Sequence, residues 1–164
     1  MKTVCFIRHA KSSWSDAMLK DIDRPLNKRG KRDAPFMAKL LRGKQVVADA
    51  IISSPANRAF TTATHFAQAM DIKKKDIIVK KGIYEAYADD VIRIVQQTDN
   101  AYDTILVFGH NPTFTTLANQ FTDEYIANIP TCGITQIAAD IESWEEFRAG
   151  TGKLVAFYYP KQYF

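Results

Sequence analysis

The chain has 164 residues, of which 46% are apolar and 24% charged, and its formal net charge is +4. This length fits one domain, and the composition is that of an ordinary globular protein, so disorder, collagen and coiled coil are poor fits. Apolar runs such as Val4–Ile7 are far shorter than the roughly 18 residues that a membrane span needs, and too short for a secretory signal. We therefore expect one domain over residues 1–164, a cytoplasmic location and no membrane partner.

Short apolar runs bounded by polar residues predict five β-strands. Three of them, Lys2–Arg8, Ala48–Ser53 and Asp103–Gly109, have continuous apolar cores, which is typical of parallel strands covered on both faces. The other two, Gly133–Asp140 and Lys153–Tyr159, are less regular, and we place them nearer an edge of the sheet.

Helical signals separate these strands. The predicted helices begin, in chain order, near Asn27, at Ser54–Pro55, at Asp89 or Asp90, and near Asn111–Thr113, and the last one runs through Phe121. Asparagine and serine are favoured N-caps, and proline is favoured at the first helical position. Strands that alternate with helices predict an α/β fold, a mostly parallel central sheet with helices on both faces.

The two cysteines, Cys5 and Cys132, lie far apart, and no pair or cluster of cysteine and histidine has zinc or redox spacing. We interpret them as reduced, buried thiols that act as small apolar residues. No structural metal is expected from this pattern.

Basic residues and histidines follow three of the predicted strands. Arg8 and His9 end the first strand, Arg58 lies in the first turn of the helix after the second, and His110 follows Asp103–Gly109. Ligands of open α/β sheets bind at the carboxyl ends of the strands, so we expect these four side chains to lie together. Because the helix dipole disfavours an arginine at a helix N-terminus, Arg58 indicates an anion in front of it. The cluster predicts a site for a phosphate dianion.

Other charged or titratable residues carry weaker signals. His65 lies off the apolar stripe of its helix and is interpreted as solvent-facing, and Glu142, Glu145 and Glu146 are assigned no chemistry. The basic stretch from Arg24 to Arg32 is either a solvated helix face or a surface that steers an anionic partner toward the pocket. No aromatic stacking motif or known module supports a nucleic-acid partner.

Three ordered motifs are recognisable in the chain. They are Arg8-His9 followed by a small residue, Ser54-Pro55-x-x-Arg58-Ala59-x-x-Thr62, and Gly109-His110-x-Pro112. Together they resemble the histidine phosphatase superfamily, and in particular its small SixA-type phosphohistidine phosphatases. Arg24-Pro25-Leu26-Asn27-x-x-Gly30 resembles a further stretch of that family, and Tyr84-Glu85-Ala86 falls in the region of its acidic residue.

The resemblance implies a phosphoglycerate mutase-like fold and a set of roles. His9 would be the nucleophile that takes up the phosphoryl group, Arg8, Arg58 and His110 would cradle its oxygens, and water would hydrolyse the phosphohistidine. Arg24 and Asn111 would lie at the rim of the pocket. Glu85 stands where many members have a general acid, with Asp16, Asp21 and Asp23 as rival donors. The chain departs from the family at Ala10, where glycine is usual.

Physical chemistry agrees with these roles. An imidazole beside two guanidinium groups should have a lowered pKa, because like charge disfavours imidazolium, and it is then a neutral nucleophile near pH 7. Arginines match phosphate oxygens and neutralise charge during transfer, so neither a metal nor a cofactor is expected. We hypothesise that the small Ala10 lets a backbone carbonyl hold the other ring nitrogen of His9.

The sequence therefore predicts a metal-independent phosphatase that acts on protein phosphohistidine through phosphorylated His9. Two alternatives stay open: a phosphatase of a small phosphate monoester, and a non-catalytic phosphate-binding module. The expected partner is accordingly a phosphorylated protein or a small phosphate ester.

Overall fold

A computed structural model describes all residues 1–164. It contains one six-stranded sheet with the order β3-β2-β4-β1-β5-β6. The strands are β1 Lys2–Arg8, β2 Ala50–Ser53, β3 Ile78–Val79, β4 Thr104–Gly109, β5 Ile134–Ala139 and β6 Gly152–Tyr158. The β1, β2, β3 and β4 strands pair in parallel, whereas β5 is antiparallel to both β1 and β6. This mixed, mostly parallel sheet confirms the predicted fold class.

Four α-helices cover the two faces of the sheet. They are α1 Lys28–Gly43, α2 Asn57–Ala69, α3 Ala88–Gln96 and α4 Thr113–Asn119. Side chains of β1 alternate between two apolar clusters: Cys5 and Ile7 pack with α1 and α2, while Val4 and Phe6 pack with α3 and α4. Because successive residues of a strand point to opposite faces, a continuous apolar run serves both layers. No helix is both long and apolar enough to cross a membrane.

The structure corrects several element boundaries. The helix expected at Ser54 begins only at Asn57, with Ala56 as its N-cap, and α4 ends at Asn119, before Phe121. The predicted cap of α1 is confirmed, since the Asn27 side chain accepts from the Gly30 amide.

Two further features differ from the expectation. The two-residue strand β3 was not predicted, because so short a segment carries no periodic pattern. His65 is half-buried rather than solvent-facing, and its burial lowers its pKa. Both cysteines are buried free thiols, as predicted.

The loop after β1 packs closely against the start of α1. A β-carbon at Gly30 would lie 2.2 Å from the Lys11 carbonyl oxygen, so a larger residue would displace backbone. The Asn27 amide donates to that same carbonyl, and Ser12 forms an isolated bridge with Leu26. The segment from Arg24 to Gly30 therefore holds the loop that carries His9 in place.

Candidate active site

A cavity of about 170 Å³ lies at the carboxyl ends of β1, β2 and β4. It is lined by both predicted histidines, His9 and His110, and by four cationic side chains: Arg8, Lys11, Arg24 and Arg58. No carboxylate belongs to its lining. The structure therefore brings together the residues that the three strand ends predicted, in surroundings that favour an anion.

The His9 ring is fixed by the backbone of the next residue. Its Nδ1 lies 2.7 Å from the Ala10 carbonyl oxygen, and because a carbonyl can only accept, Nδ1 carries the proton and Nε2 keeps a lone pair. The Ala10 amide in turn donates to Thr62 Oγ1 at 3.0 Å, and the Thr62 hydroxyl donates to the Arg58 carbonyl at 2.7 Å. This geometry confirms the hypothesis that a backbone carbonyl holds the second ring nitrogen of His9.

Burial keeps His9 neutral. The residue is 8% exposed, and desolvation is the largest cause that lowers the pKa of its imidazole to about 3. The charges of His110, Arg58 and Arg8 lower this pKa further, whereas the hydrogen bond to Ala10 opposes the shift. The predicted lowering of the His9 pKa is confirmed, but burial contributes more to it than the neighbouring guanidinium groups from which the prediction was made.

His110 is held by a serine of the β2–α2 loop. Its Nε2 lies 2.8 Å from Ser54 Oγ, and that oxygen already accepts from the Ala56 amide over 3.2 Å. Because a hydroxyl oxygen donates one hydrogen and accepts up to two, Ser54 can donate to Nε2 of the Nδ1-protonated tautomer or accept from Nε2 of the other tautomer. Nδ1 is buried and has no protein partner, and burial, with the charge of Arg58, lowers the pKa of His110 to about 4. The result is a neutral imidazole with one ring nitrogen bonded to Ser54 and the other without a protein partner.

The two arginines are anchored differently. Arg8 donates from one terminal nitrogen to the Ile129 carbonyl at 2.8 Å, and its buried Nε has no protein partner. Arg58 donates to the Asp21 carbonyl at 2.7 Å and to Asp21 Oδ2 at 3.0 Å. Buried polar groups without partners are uncommon in native proteins, and Arg8 Nε and His110 Nδ1 are the two buried side-chain atoms of this kind.

Asp21 is the carboxylate that the fold brings to Arg58. Arg24 donates to its Oδ1 at 3.0 Å, and the Tyr84 hydroxyl donates to its Oδ2 at 2.6 Å. The hydrogen bond from Tyr84 and those from Arg24 and Arg58 hold the pKa of Asp21 far below its usual range. Sequence reasoning named Asp21 as a rival acid but did not predict its contact with Arg58; the spacing of three residues indicates only the ion pair between Asp21 and Arg24.

Arg24 and Asn111, expected at the rim, both line the cavity. All three Arg24 nitrogens are already committed, to the Ser13 carbonyl, Asp21 and Ser12 Oγ. The Asn111 amide nitrogen donates to the Asn128 side chain and to the Ile129 carbonyl. These two side chains therefore shape the cavity wall while bonding to the protein.

The other candidate acids lie apart from these contacts. Glu85 is exposed, makes no side-chain hydrogen bond or ion pair, and has a left-handed backbone φ of 58°. Asp16 and Asp23 are also exposed, and the only side-chain hydrogen bond among them is the one Asp16 accepts from the Met18 amide. The structure thus brings neither Glu85 nor these two aspartates into contact with the histidines or arginines.

A larger cleft of about 600 Å³ lies near the end of α4 and strand β6. Its lining, which includes Phe121, Lys153 and Phe157, contains no histidine, arginine or cysteine. Across the chain, no group of three or more His, Cys, Asp or Glu side chains is placed to hold a metal ion. The concentration of nucleophilic and anion-binding groups is therefore found at the smaller cavity.

The site combines a neutral histidine that has a free ring nitrogen with several arginines, at the carboxyl ends of a mostly parallel sheet. This arrangement is typical of α/β proteins that bind phosphoryl groups. Residues 4–91 match the histidine phosphatase superfamily (branch 1). An uncharacterized protein of Mycobacterium tuberculosis is 32% identical over 94% of this chain and 100% of its own length. The chain belongs to the histidine phosphatase superfamily.

Solved structures show the same architecture. A protein of Agrobacterium tumefaciens assigned as a phosphohistidine phosphatase, SixA, is 27% identical, with a TM-score of 0.79 over 97% of this chain and 98% of that one. A protein histidine phosphatase SixA complexed with tungstate is 23% identical, with a TM-score of 0.78 over 94% and 95% of the two chains. The chain is thus a SixA-type member with a phosphoglycerate mutase-like fold, and its class of activity is that of a phosphatase-type hydrolase.

Proposed function

We propose that this protein is a metal-independent phosphatase that removes the phosphoryl group from protein phosphohistidine through phosphorylated His9. The observation that carries the proposal is the state of His9. Its ring is neutral, and its Nδ1–H donates to the Ala10 carbonyl, which leaves the lone pair on Nε2. The residue lines a cavity that arginines also line. A positioned, unprotonated imidazole is what nucleophilic attack on phosphorus requires.

The reaction divides into two displacements at phosphorus. In the first, the Nε2 lone pair of His9 forms a P–N bond as the P–N bond of the substrate breaks, and the electron pair stays on the leaving imidazole. A substrate imidazole protonated on its other nitrogen leaves as neutral imidazole and needs no further proton. In the second, a water oxygen forms a P–O bond as the P–N bond to His9 breaks, the electron pair of that bond returns to His9 Nε2, and both water protons leave with the group as dihydrogen phosphate.

The arginines supply the positive charge that the transferred group needs. Phosphoryl transfer depends mainly on positioning and on neutralising charge on the equatorial oxygens, a role often taken by Mg²⁺. Arg8, Arg58 and His110 all line the cavity, and we assign this role to them. We therefore expect hydrolysis to proceed without a metal.

The identity of a general acid stays a prediction. Asp21 is ionised near neutral pH because its three donors lower its pKa, so in this arrangement it positions Arg58 and does not donate a proton. Glu85 is exposed and would have to approach the leaving group when substrate binds. Phosphohistidine, whose leaving group is a neutral imidazole, suits this site better than an alkyl phosphate does.

The size of the cavity also favours a protein substrate. At about 170 Å³ it is smaller than the roughly 300–1,000 Å³ that typically encloses a small ligand. It can take a phosphoryl group and the ring that carries it, while the remainder of the substrate stays outside.

The proposal is tested by phosphate release in the presence of excess EDTA. The substrates are a phosphotransfer protein phosphorylated on histidine and a panel of small phosphate monoesters. We expect a strongly higher kcat/KM for the phosphoprotein. A preference for one of the esters would move the assignment to a small-molecule phosphatase, and a strict requirement for added magnesium would defeat the metal-free mechanism.

The His9→Ala variant is the control that separates an enzyme from a binding module. Turnover should be lost while vanadate or phosphate still binds, because the arginines remain. Undiminished turnover would show that His9 is not the nucleophile.

A further inference from the structure

One large apolar side chain at the mouth of the cavity is exposed. Trp14 is 73% exposed, and among the exposed large apolar residues it alone lines this cavity. It begins a loop, residues 14–20, in which Met18 is 92% exposed and Leu19 is also exposed. We call these seven residues the rim loop. Exposed clusters of large apolar side chains mark interaction sites more often than isolated ones do.

Trp14 is exposed but held in place. The Arg24 guanidinium carbon lies 3.2 Å from the centre of the Trp14 ring, and Arg24 is itself fixed by its bonds to Ser12, Ser13 and Asp21. The Ser13 amide donates to the Pro25 carbonyl at 2.8 Å. An aromatic side chain that is ordered before binding loses little conformational entropy when a partner covers it.

The position of Trp14 defines what it can contact. The cavity lined by four cations and no carboxylate receives the phosphoryl anion and the ring that carries it, and its small volume leaves the rest of the substrate at the mouth. Any substrate that extends beyond a single ring must therefore meet the residues of the rim. Met18 is not among the residues that line the cavity, so a ligand confined to the cavity does not contact it.

We propose that Trp14 and Met18 dock the polypeptide surrounding the phosphorylated residue, so that the partner of the rim loop is the phosphorylated protein itself. This inference rests on the proposed phosphatase activity and adds the surface by which the substrate is selected. Tryptophan is enriched among the residues that dominate binding energy in protein interfaces. Methionine adapts its shape to varied apolar surfaces.

The test compares two substrates with the same P–N bond. One is a phosphotransfer protein phosphorylated on histidine, and the other is phosphoimidazole, which has no polypeptide. For Trp14→Ala, the ratio of kcat/KM on the phosphoprotein to kcat/KM on phosphoimidazole should fall by about tenfold or more, mainly through KM. Met18→Ala should lower the same ratio by a smaller factor, and Trp14→Phe should restore most of it.

Val47→Ala is the matched control. Val47 is 54% exposed and precedes β2, at the opposite end of that strand from the cavity, so removing its side chain should leave the ratio unchanged. If Trp14→Ala lowers both activities equally, Trp14 acts only through Arg24 and the docking surface is overturned. Wild-type protein that hydrolyses phosphoimidazole but not the phosphoprotein would overturn the docking surface together with the protein substrate of the proposed function, while the His9 chemistry stands. Failure on both substrates would instead defeat the proposed function.

Discussion

At His9, a backbone carbonyl decides which ring nitrogen carries the proton. Because Ala10 offers only an acceptor to Nδ1, Nε2 is left for chemistry, and burial keeps the ring neutral at all but acidic pH. The substitution of alanine for the glycine usual in the family is tolerated here, since Ala10 is fully buried and its amide still bonds to Thr62. A residue outside the family pattern thus preserves the geometry that the proposed nucleophile needs.

Arg58 is the residue whose removal should be most costly among the anion-binding groups. Arg58→Ala should lose about 2.7–4 kcal/mol of transition-state stabilisation, the cost of removing one oxyanion donor. Arg58→Lys should recover little, because lysine keeps the charge but not the planar fork that matches phosphate oxygens. The measurement is kcat/KM on the phosphoprotein for both variants.

Asp21→Asn serves as the companion variant. It keeps Arg58 but removes the carboxylate charge that anchors it, so its loss of kcat/KM should be smaller than that of Arg58→Ala. A near-normal rate for Arg58→Ala would place Arg58 outside the phosphoryl site, and an equal loss in both variants would mean that Asp21 does more than hold the arginine.

The β2–α2 loop leads into helix α2 and also supplies a side chain that holds His110. A serine followed by proline predicts an N-cap at Ser54, yet α2 starts three residues later and the serine hydroxyl forms a hydrogen bond with His110 Nε2. Local capping rules could not anticipate this, because the histidine is 56 residues away in the chain. The strand-end argument placed both residues at the same edge of the sheet but could not supply the bond between them.

We expect Ser54→Ala to change the balance between the two tautomers of the His110 ring. Without the hydroxyl, Nε2 loses its hydrogen-bond partner and the ring can populate both tautomers, so the ¹⁵N chemical shifts of His110 should change from those of one tautomer to those of a mixture. If both tautomers become equally populated, about half of the molecules keep the one that Ser54 selects, and kcat should fall by roughly twofold.

Ser53→Ala is the control for this effect. Ser53 is equally buried, but its hydroxyl donates to the Ser54 carbonyl and does not contact a histidine. It should leave the His110 shifts unchanged. An unaltered single tautomer in Ser54→Ala would show that something other than this serine fixes the ring.

Across the whole molecule, the sequence was sufficient for what depends on local pattern. Continuous apolar runs identified β1, β2 and β4, and the residues after them identified His9, Arg58 and His110. The sequence was insufficient for features that depend on long-range packing. Three such features are the antiparallel direction of β5, the hydrogen bonds from Arg58 to Asp21 and the exposed position of Glu85. Each depends on how distant segments of the chain pack together, and no spacing within the chain indicates it.

Burial of two neutral histidines should make the stability of the fold depend on pH. The native pKa values are about 3 for His9 and about 4 for His110, whereas an unfolded histidine titrates near 6.5. Between about pH 4 and 6.5 the unfolded chain therefore binds more protons than the native one, and the free energy of unfolding falls as pH is lowered. Each histidine contributes at most roughly 1.4 kcal/mol per pH unit, and His65, whose pKa is also lowered, adds in the same direction.

Urea unfolding midpoints measured from pH 7.5 to 4.5 would report this dependence. The lowered pKa of Asp21 acts mainly below this window, since its stabilisation is lost only as pH falls through the range below about 4. His9→Asn removes one titrating group, so the slope of the unfolding free energy against pH should fall by the amount that one proton contributes. The pH dependence should still begin near pH 6.5, where the remaining unfolded histidines titrate. A profile that is flat between pH 5 and 7 in the wild-type protein would mean that the native rings bind protons as an unfolded histidine does, so burial would not be what keeps His9 neutral.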